Sequence, residues 1–217
     1  MPRTVLLAGA TGLVGGRILQ GLVRDGDVGE VRVLVRRPFD PSLRGPKVRE
    51  LVAAFDALDA HPEWFRVDQV FCALGTTIRD AGSQAAFRRV DFDYPLALAR
   101  LAHGQGARHF LLVGAAGADA GSRVFYTRVK GELEDAVNQV GYVALTIARP
   151  SFLLGRRKSL RVGELVIKRL ANLFPAALKP VHARQVASAL VRAARHDHPG
   201  VVILDNVTLR REGEEVS

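Results

Sequence analysis

Cysteine and lysine are scarce in this chain of 217 residues. The single cysteine, Cys72, excludes an internal disulfide bond and a cysteine-based metal site, and its apolar neighbours predict that it is buried. The histidines lack the spacing and the nearby acids of a ligand set, so we expect no metal. No uncharged run reaches the roughly 18 residues of a membrane span, and no secretory signal pattern opens the chain. The sequence thus predicts a soluble, cytoplasmic protein without a membrane partner.

The basic residues are almost all arginine: the formal net charge of +9 comes with 26 arginines and 5 lysines. They are scattered, and no long basic run or base-stacking motif accompanies them, so we expect no nucleic-acid partner. The charge instead favours a ligand that carries phosphate groups. The densest cluster, Arg156-Arg157-Lys158 with Arg161, is typical of a solvated face, although it also fits an anionic group on a substrate.

Short apolar runs alternate with segments of helical periodicity along most of the chain. The predicted strands are Thr4–Ala8, Val31–Val35, Val48–Ala53, Gln69–Leu74, His109–Val113, Val143–Ala148 and Val201–Leu204. The predicted helices are Leu13–Arg24, Asp91–His103, Tyr126–Val140, Glu164–Leu173 and Ala183–Arg195. This alternation predicts a doubly wound α/β fold with a mainly parallel sheet. We expect one domain over residues 1–217, with its core at 1–150 and 183–206 and a small substrate-side cap at 151–182.

A glycine-rich loop, Gly9-Ala10-Thr11-Gly12-Leu13-Val14-Gly15, joins the first strand to the first helix. Its glycines permit a tight turn, a close approach of a pyrophosphate to the backbone, and close packing of the helix on the strand. The N–H groups at the start of the helix then face the phosphates. The predicted phosphate-binding residues are Gly9, Thr11, Gly12, Leu13, Val14 and Gly15.

Two arginines, Arg36 and Arg37, follow the second strand, where a protein that prefers NAD has an acidic residue for the ribose 2′-hydroxyl. Guanidinium groups pair in a bidentate manner with phosphate, which suits the 2′-phosphate of NADP(H). The alternative is that both arginines simply face water. We predict NADP(H) as the cofactor.

Six stretches in the right order make the chain resemble the atypical short-chain dehydrogenase/reductases, most of all the branch of the human Tat-interacting protein and its bacterial relatives. The resemblance covers about residues 4–155. The stretches are Gly9–Gly15, Cys72–Thr77, Arg89–Tyr94, Gly117–Asp119, Tyr126–Glu132 and Arg149–Leu154.

The resemblance implies a Rossmann sheet of about seven strands, with NADP(H) across the strand ends. It implies that Ala54 and Phe55 flank the adenine, although an aspartate is common at the first position. It places the segment after the fourth strand along the cofactor: Leu74, Gly75, Thr76 and Thr77. It also implies that Pro150 and Ser151 face the nicotinamide amide and that Lys130 holds the nicotinamide ribose.

Tyr126 and Lys130 lie one helical turn apart and share a face of the predicted helix. A tyrosine with a pKa of about 10 is a poor acid–base at neutral pH unless a neighbouring positive charge favours the phenolate. Lys130 supplies that charge, so Tyr126 is the predicted proton donor to a substrate carbonyl. The bland alternative is an amphipathic helix with an exposed lysine.

The serine that the family usually carries after the fifth strand is absent here, because Gly114 and Ala115 occupy its positions. Loss of one oxyanion donor typically costs about 10²–10³ in rate. Ser122 and Ser151 are candidates to replace it, and a backbone N–H from the glycine-rich loop is a third. Asp91 is interpreted as a helix-capping residue, although the resemblance puts it near the cleft.

Two functions follow from this sequence. The first is an NADP(H)-dependent oxidoreductase that reduces a carbonyl-type small molecule. The second is a catalytically weak or inactive NADP(H)-binding sensor that acts through protein partners. A homodimer is plausible because related proteins often pair through helices beside the sheet.

Overall fold

The computed structural model describes residues 2–38, 45–154 and 178–212. Its strands, in chain order, are β1 (Arg3–Ala8), β2 (Val28–Val35), β3 (Val48–Val52), β4 (Gln69–Cys72), β5 (His109–Val113), β6 (Ala144–Ala148), β7 (Leu153–Leu154), β8 (Val181–His182) and β9 (Gly200–Leu204). Seven of them form one sheet in the order β3-β2-β1-β4-β5-β6-β9, and every neighbouring pair is parallel. The predicted α/β fold and its strand count are confirmed.

Helices cover both faces of the sheet. They are α1 (Leu13–Arg24), α2 (Ile78–Ala81), α3 (Gln84–Arg88), α4 (Tyr94–Gly104), α5 (Phe125–Asn138), α6 (Ala183–His196) and α7 (Asn206–Glu212). Val5 and Leu7 of β1 pack with α1 and α6, whereas Leu6 of the same strand packs with α4 and α5. A strand buried on both faces needs apolar residues at successive positions, which is why these strands read as continuous apolar runs.

The strand order places the candidate site. β1 lies between β2 and β4 in the sheet. The chain adds strands first on the β2 side and then on the β4 side, so the strand order reverses at β1. Ligands of such sheets bind beyond the carboxyl ends of the strands at this switch point. The glycine loop after β1 and the segments after β4, β5 and β6 all lie at that edge.

Several local elements differ from the sequence prediction. The helix expected from Asp91 is preceded by a single π-helical turn, Arg89–Asp93, and α4 begins at Tyr94 with Pro95 in its first turn, where a missing N–H is tolerated. The short helices α2, α3 and α7 were not predicted, because each is too short to show a hydrophobic period. The predicted helix 164–173 and the basic cluster 156–161 lie outside the described residues.

Within the described ranges, every helix is too short or too polar to cross a bilayer. The same residues bring no group of three or more His, Cys, Asp or Glu side chains together as metal ligands. Cys72 is fully buried, and burial raises the pKa of its thiol to about 12.

Candidate functional site

The glycine loop packs directly on the end of β4. Gly9 has φ +92°, and a Cβ there would collide with the carbonyl oxygen of Ala73. A Cβ at Gly15 would overlap the Gly9 carbonyl group. Both positions therefore require glycine to close the turn and to seat α1 against it.

Gly12 differs from the other two glycines because a Cβ there would make a tight contact but no overlap. The nearest atom to a Cβ there is the Gly9 carbonyl oxygen at 3.2 Å. Gly12 is the N-cap of α1, without a capping side chain, and the first turn carries no acid. The N–H groups of Leu13 and Val14 therefore lack intrahelical partners and point out of the helix. Such a helix start fits a pyrophosphate.

Arg36 and Arg37 are exposed and come directly after β2. Among the described residues, neither forms an ion pair with a carboxylate. On the neighbouring segment Ala54 is exposed, whereas Phe55 is 6% exposed and its ring centroid lies 5.3 Å from that of Tyr94. Phe55 is thus a core residue that packs on Tyr94, and Ala54 is the accessible member of that pair.

The segment after β4 is held between the glycine loop and α5. Ala73 contacts Gly9, and a Cβ at Gly75 would lie 3.8 Å from the Lys130 ammonium nitrogen. The Thr76 N–H donates to an oxygen of Asp91 at 2.8 Å. Thr77 caps α2, because its hydroxyl accepts from the Asp80 N–H. This segment brings the loop after β1 and the α5 side chains into one site, with Leu74 partly buried within it.

Lys130 and Asp91 form a buried ion pair at the floor of this site. The ammonium nitrogen lies 2.7 Å from the carboxylate, and the two side chains are 6% and 1% exposed. Burial alone would lower the pKa of Lys130, but the Asp91 carboxylate and the Tyr126 phenol raise it above its ordinary value. Lys130 is therefore a cation at neutral pH.

The capping interpretation of Asp91 is wrong. Asp91 makes no helix cap, because its carboxylate is turned inward to Lys130 and to the Thr76 N–H. The sequence signal that could have identified it is its place in the Arg89–Tyr94 stretch. Local helix rules do not reveal a partner that lies 39 residues further along the chain.

Tyr126 lies one turn before Lys130 on the same face of α5. It is partly exposed, and its ring centroid lies 5.6 Å from that of Phe87. Its hydroxyl makes no hydrogen bond to a described residue. The phenol is thus held by ring packing, with its oxygen available to a ligand.

The missing serine has a structural explanation. A Cβ at Gly114 would lie 2.5 Å from Oε1 of Glu134, and the other oxygen of that carboxylate accepts from Arg149 at 2.6 and 2.9 Å. Glu134 is 4% exposed, and burial raises the pKa of its carboxyl, against the effect of Arg149. A side chain at position 114 would displace Glu134 from its ion pair. Ala115, the other candidate position, is buried.

The two serines proposed as replacements both have local partners. The Ser122 hydroxyl lies 2.7 Å from that of Thr127. The Ser151 hydroxyl donates to the Lys179 carbonyl at 2.7 Å, and its N–H donates to Asn206 at 2.9 Å. Pro150, beside it, is buried. Sequence reasoning missed Asn206, whose buried amide ties the segment after β6 to α7.

Searches for similar proteins identify relatives over most of the chain. No family model matches it. Protein HTATIP2 of Rattus norvegicus is 35% identical over 176 residues, which are 80% of this chain and 72% of that protein. The mitochondrial protein fmp52 of Emericella nidulans is 31% identical over 189 residues, 82% of this chain and 77% of that protein.

Solved structures share the fold at low sequence identity. WbmH of Bordetella bronchiseptica, solved with NAD⁺, superposes with a TM-score of 0.74 at 15% identity, covering 94% of this chain and 76% of that chain. The dTDP-glucose 4,6-dehydratase DesIV of Streptomyces venezuelae, solved with NAD, superposes with a TM-score of 0.73 at 15% identity, covering 92% of this chain and 74% of that chain.

The fold is thus an NAD(P)-binding Rossmann fold of the short-chain dehydrogenase/reductase type. The chain belongs to the atypical short-chain dehydrogenase/reductase family, as its identity to the rat protein shows. The prediction of a cytoplasmic location is wrong: several fungal relatives are named as mitochondrial proteins. Composition and the lack of a membrane span do not distinguish these two compartments.

Proposed function

We propose that the protein is an NADP(H)-dependent oxidoreductase that reduces a carbonyl group on a small molecule. The observation that carries the proposal is the position of the segment Ala73–Gly75. One side of it contacts Gly9 of the phosphate-binding loop, and the other contacts the Lys130–Asp91 ion pair. A dinucleotide on the loop would therefore extend toward the face of α5 that carries Tyr126.

The residues that would hold the cofactor fit its parts. The N–H groups of Leu13 and Val14 at the start of α1, together with Thr11, suit the pyrophosphate. Arg36 and Arg37 suit a 2′-phosphate, since both are exposed and neither is ion-paired with a described carboxylate. Leu74–Thr77 would line the middle of the cofactor, and Pro150 and Ser151 the nicotinamide end. Ala54, the accessible residue beside the buried Phe55, would contact the adenine.

When bound, the reduced nicotinamide supplies a hydride. Tyr126 would donate its phenolic proton to the oxygen of the substrate carbonyl as the carbonyl carbon is reduced. Lys130 uses one of its three N–H groups on Asp91, and the others are available to ribose hydroxyls. Asp91 keeps that ammonium charged and in place.

The test is a reduction assay with NADPH and a panel of aldehydes and ketones. Tyr126→Phe should lower the turnover rate by about 10²–10⁴-fold, the usual contribution of general acid catalysis, while the Kd for NADPH changes little. Tyr142→Phe is the matched control, because that hydroxyl donates to the Ala99 carbonyl at 2.7 Å, away from the site. Unchanged turnover in Tyr126→Phe would refute the proton-donor role.

Two observations favour the second function, an NADP(H)-binding sensor. The Lys130–Asp91 pair has no net charge, so it favours the phenolate less than a lone ammonium would. Position 114 also lacks the serine hydroxyl, and a side chain there would have to push the Glu134 carboxylate aside. Tight NADPH binding without turnover of any carbonyl in the panel would support the sensor and reject the reductase.

A further inference from the structure

A groove with an arginine rim runs between α1 and α6 on the outside of the molecule. It encloses about 410 Å³. Its floor is made of small or apolar residues: a Cβ at Gly21 would lie 3.2 Å from a methyl group of Val191, so the two helices approach closely there. The lining includes five arginines, which are Arg17, Arg24, Arg184, Arg192 and Arg195. We call this feature the arginine groove.

The described residues of the lining include no aspartate or glutamate. Arg195 has a counter-ion outside the lining, Asp25, whose carboxylate lies 2.9 Å from Arg195 and 3.4 Å from Arg3 and is 3% exposed. Arg24 and Arg184 form no ion pair with a carboxylate of the described ranges, and Arg17 donates only to the neutral Gln20. The groove therefore carries positive charge that its own walls do not neutralise.

Two features of these charges disfavour the folded chain, although Arg24 and Arg195 lie in the last turns of their helices, where a cation is favoured. Arg184 lies in the first turn of α6, where the helix dipole disfavours a cation. Arg17 and Arg24 lie two turns apart along one face of α1. The other three arginines of the groove lie opposite them on α6. Like charges gathered around one concave surface repel one another, and an anion between them relieves that repulsion.

We propose that the arginine groove binds a small molecule that carries two or more phosphate groups. Guanidinium groups bind phosphate through paired hydrogen bonds, and two facing rims of arginine suit phosphates a few atoms apart. The site is separate from the proposed cofactor site, which uses the N-terminal first turn of α1 and the arginines after β2. Single phosphates would engage only one rim and bind more weakly.

The test is calorimetric titration of the full chain with inorganic tripolyphosphate at low salt. We expect binding that weakens as salt is added. The double variant Arg24→Gln/Arg184→Gln should raise the Kd at least about tenfold, because two charge-assisted contacts are lost. The control Arg100→Gln/Arg108→Gln changes the net charge equally at exposed positions outside the groove and should keep the wild-type Kd.

The groove variant should keep its thermal stability, since removing the unfavourable cation at the start of α6 offsets the loss of the favourable one in the last turn of α1. Ser188→Asp, which places a carboxylate in the groove, is a second variant and should also weaken binding. Equal Kd values in the groove variants and the wild type would overturn the proposal. So would loss of tripolyphosphate binding in Arg36→Ala, which would place the anion at the cofactor site. Binding to phosphatidylserine vesicles but not to tripolyphosphate would also overturn it, in favour of a lipid surface.

Discussion

At the scale of single residues, Asp91 holds the most consequential contact of the site. It neutralises Lys130 where both are shielded from water, and it accepts the Thr76 N–H. Asp91→Asn should lower the free energy of unfolding by about 3–5 kcal/mol at pH 7, because it leaves a buried cation without its counter-ion. Urea unfolding measures this change.

The difference in unfolding free energy between the wild type and Asp91→Asn should become smaller as the pH rises. Without its carboxylate partner, burial lowers the pKa of Lys130, so the folded variant tolerates the neutral amine at high pH and loses stability as the pH falls. Asp93→Asn is the matched control, since Asp93 is exposed two residues away on the same turn and should change little. A variant as stable as the wild type at pH 7 would show that the ion pair does not stabilise this site.

At the scale of elements, the turn between β1 and α1 contains one glycine that the fold requires, Gly9, and one that we expect ligand binding to require, Gly12. A Cβ at Gly9 would collide with the Ala73 carbonyl, whereas at Gly12 the nearest atom lies 3.2 Å away. Gly12→Ala should therefore cost much less than Gly9→Ala, on the order of 1 kcal/mol in the free energy of unfolding, for a poorer cap and a small shift of the Gly9 carbonyl. It should raise the Kd for NADPH strongly, because the methyl group occupies the path of the pyrophosphate.

Gly9→Ala should lose stability and binding together, since its φ of +92° and the Ala73 contact both exclude a side chain. Gly104→Ala is the control, because nothing lies within 4 Å of a Cβ there. Thermal unfolding and NADPH titration of the three variants check the prediction. Wild-type NADPH affinity in Gly12→Ala would contradict the placement of the pyrophosphate.

At the scale of the whole molecule, hydrophobic periodicity was sufficient to predict the strands of the sheet but not the side-chain pairs of the site. The helix over Leu13–Arg24 and the strand over His109–Val113 match their predicted bounds, since a two-sided core imposes apolar residues locally. The Lys130–Asp91 and Glu134–Arg149 pairs join residues that are far apart in sequence, so no local pattern indicates them. The reason for glycine at position 114 likewise becomes visible only when α5 is packed on the strand ends.

The central claim is that the switch point of this sheet binds a phosphorylated nicotinamide dinucleotide. Calorimetric titration with NADPH, NADP⁺, NADH and NAD⁺ tests it most directly. We expect a clear preference for the phosphorylated pair. Arg36→Ala or Arg37→Ala should weaken that binding by about 10–100-fold, the worth of a charge-assisted contact to phosphate, while Arg100→Ala does not. Binding of none of the four, or equal affinity for NADH and NADPH in the wild type, would contradict the account.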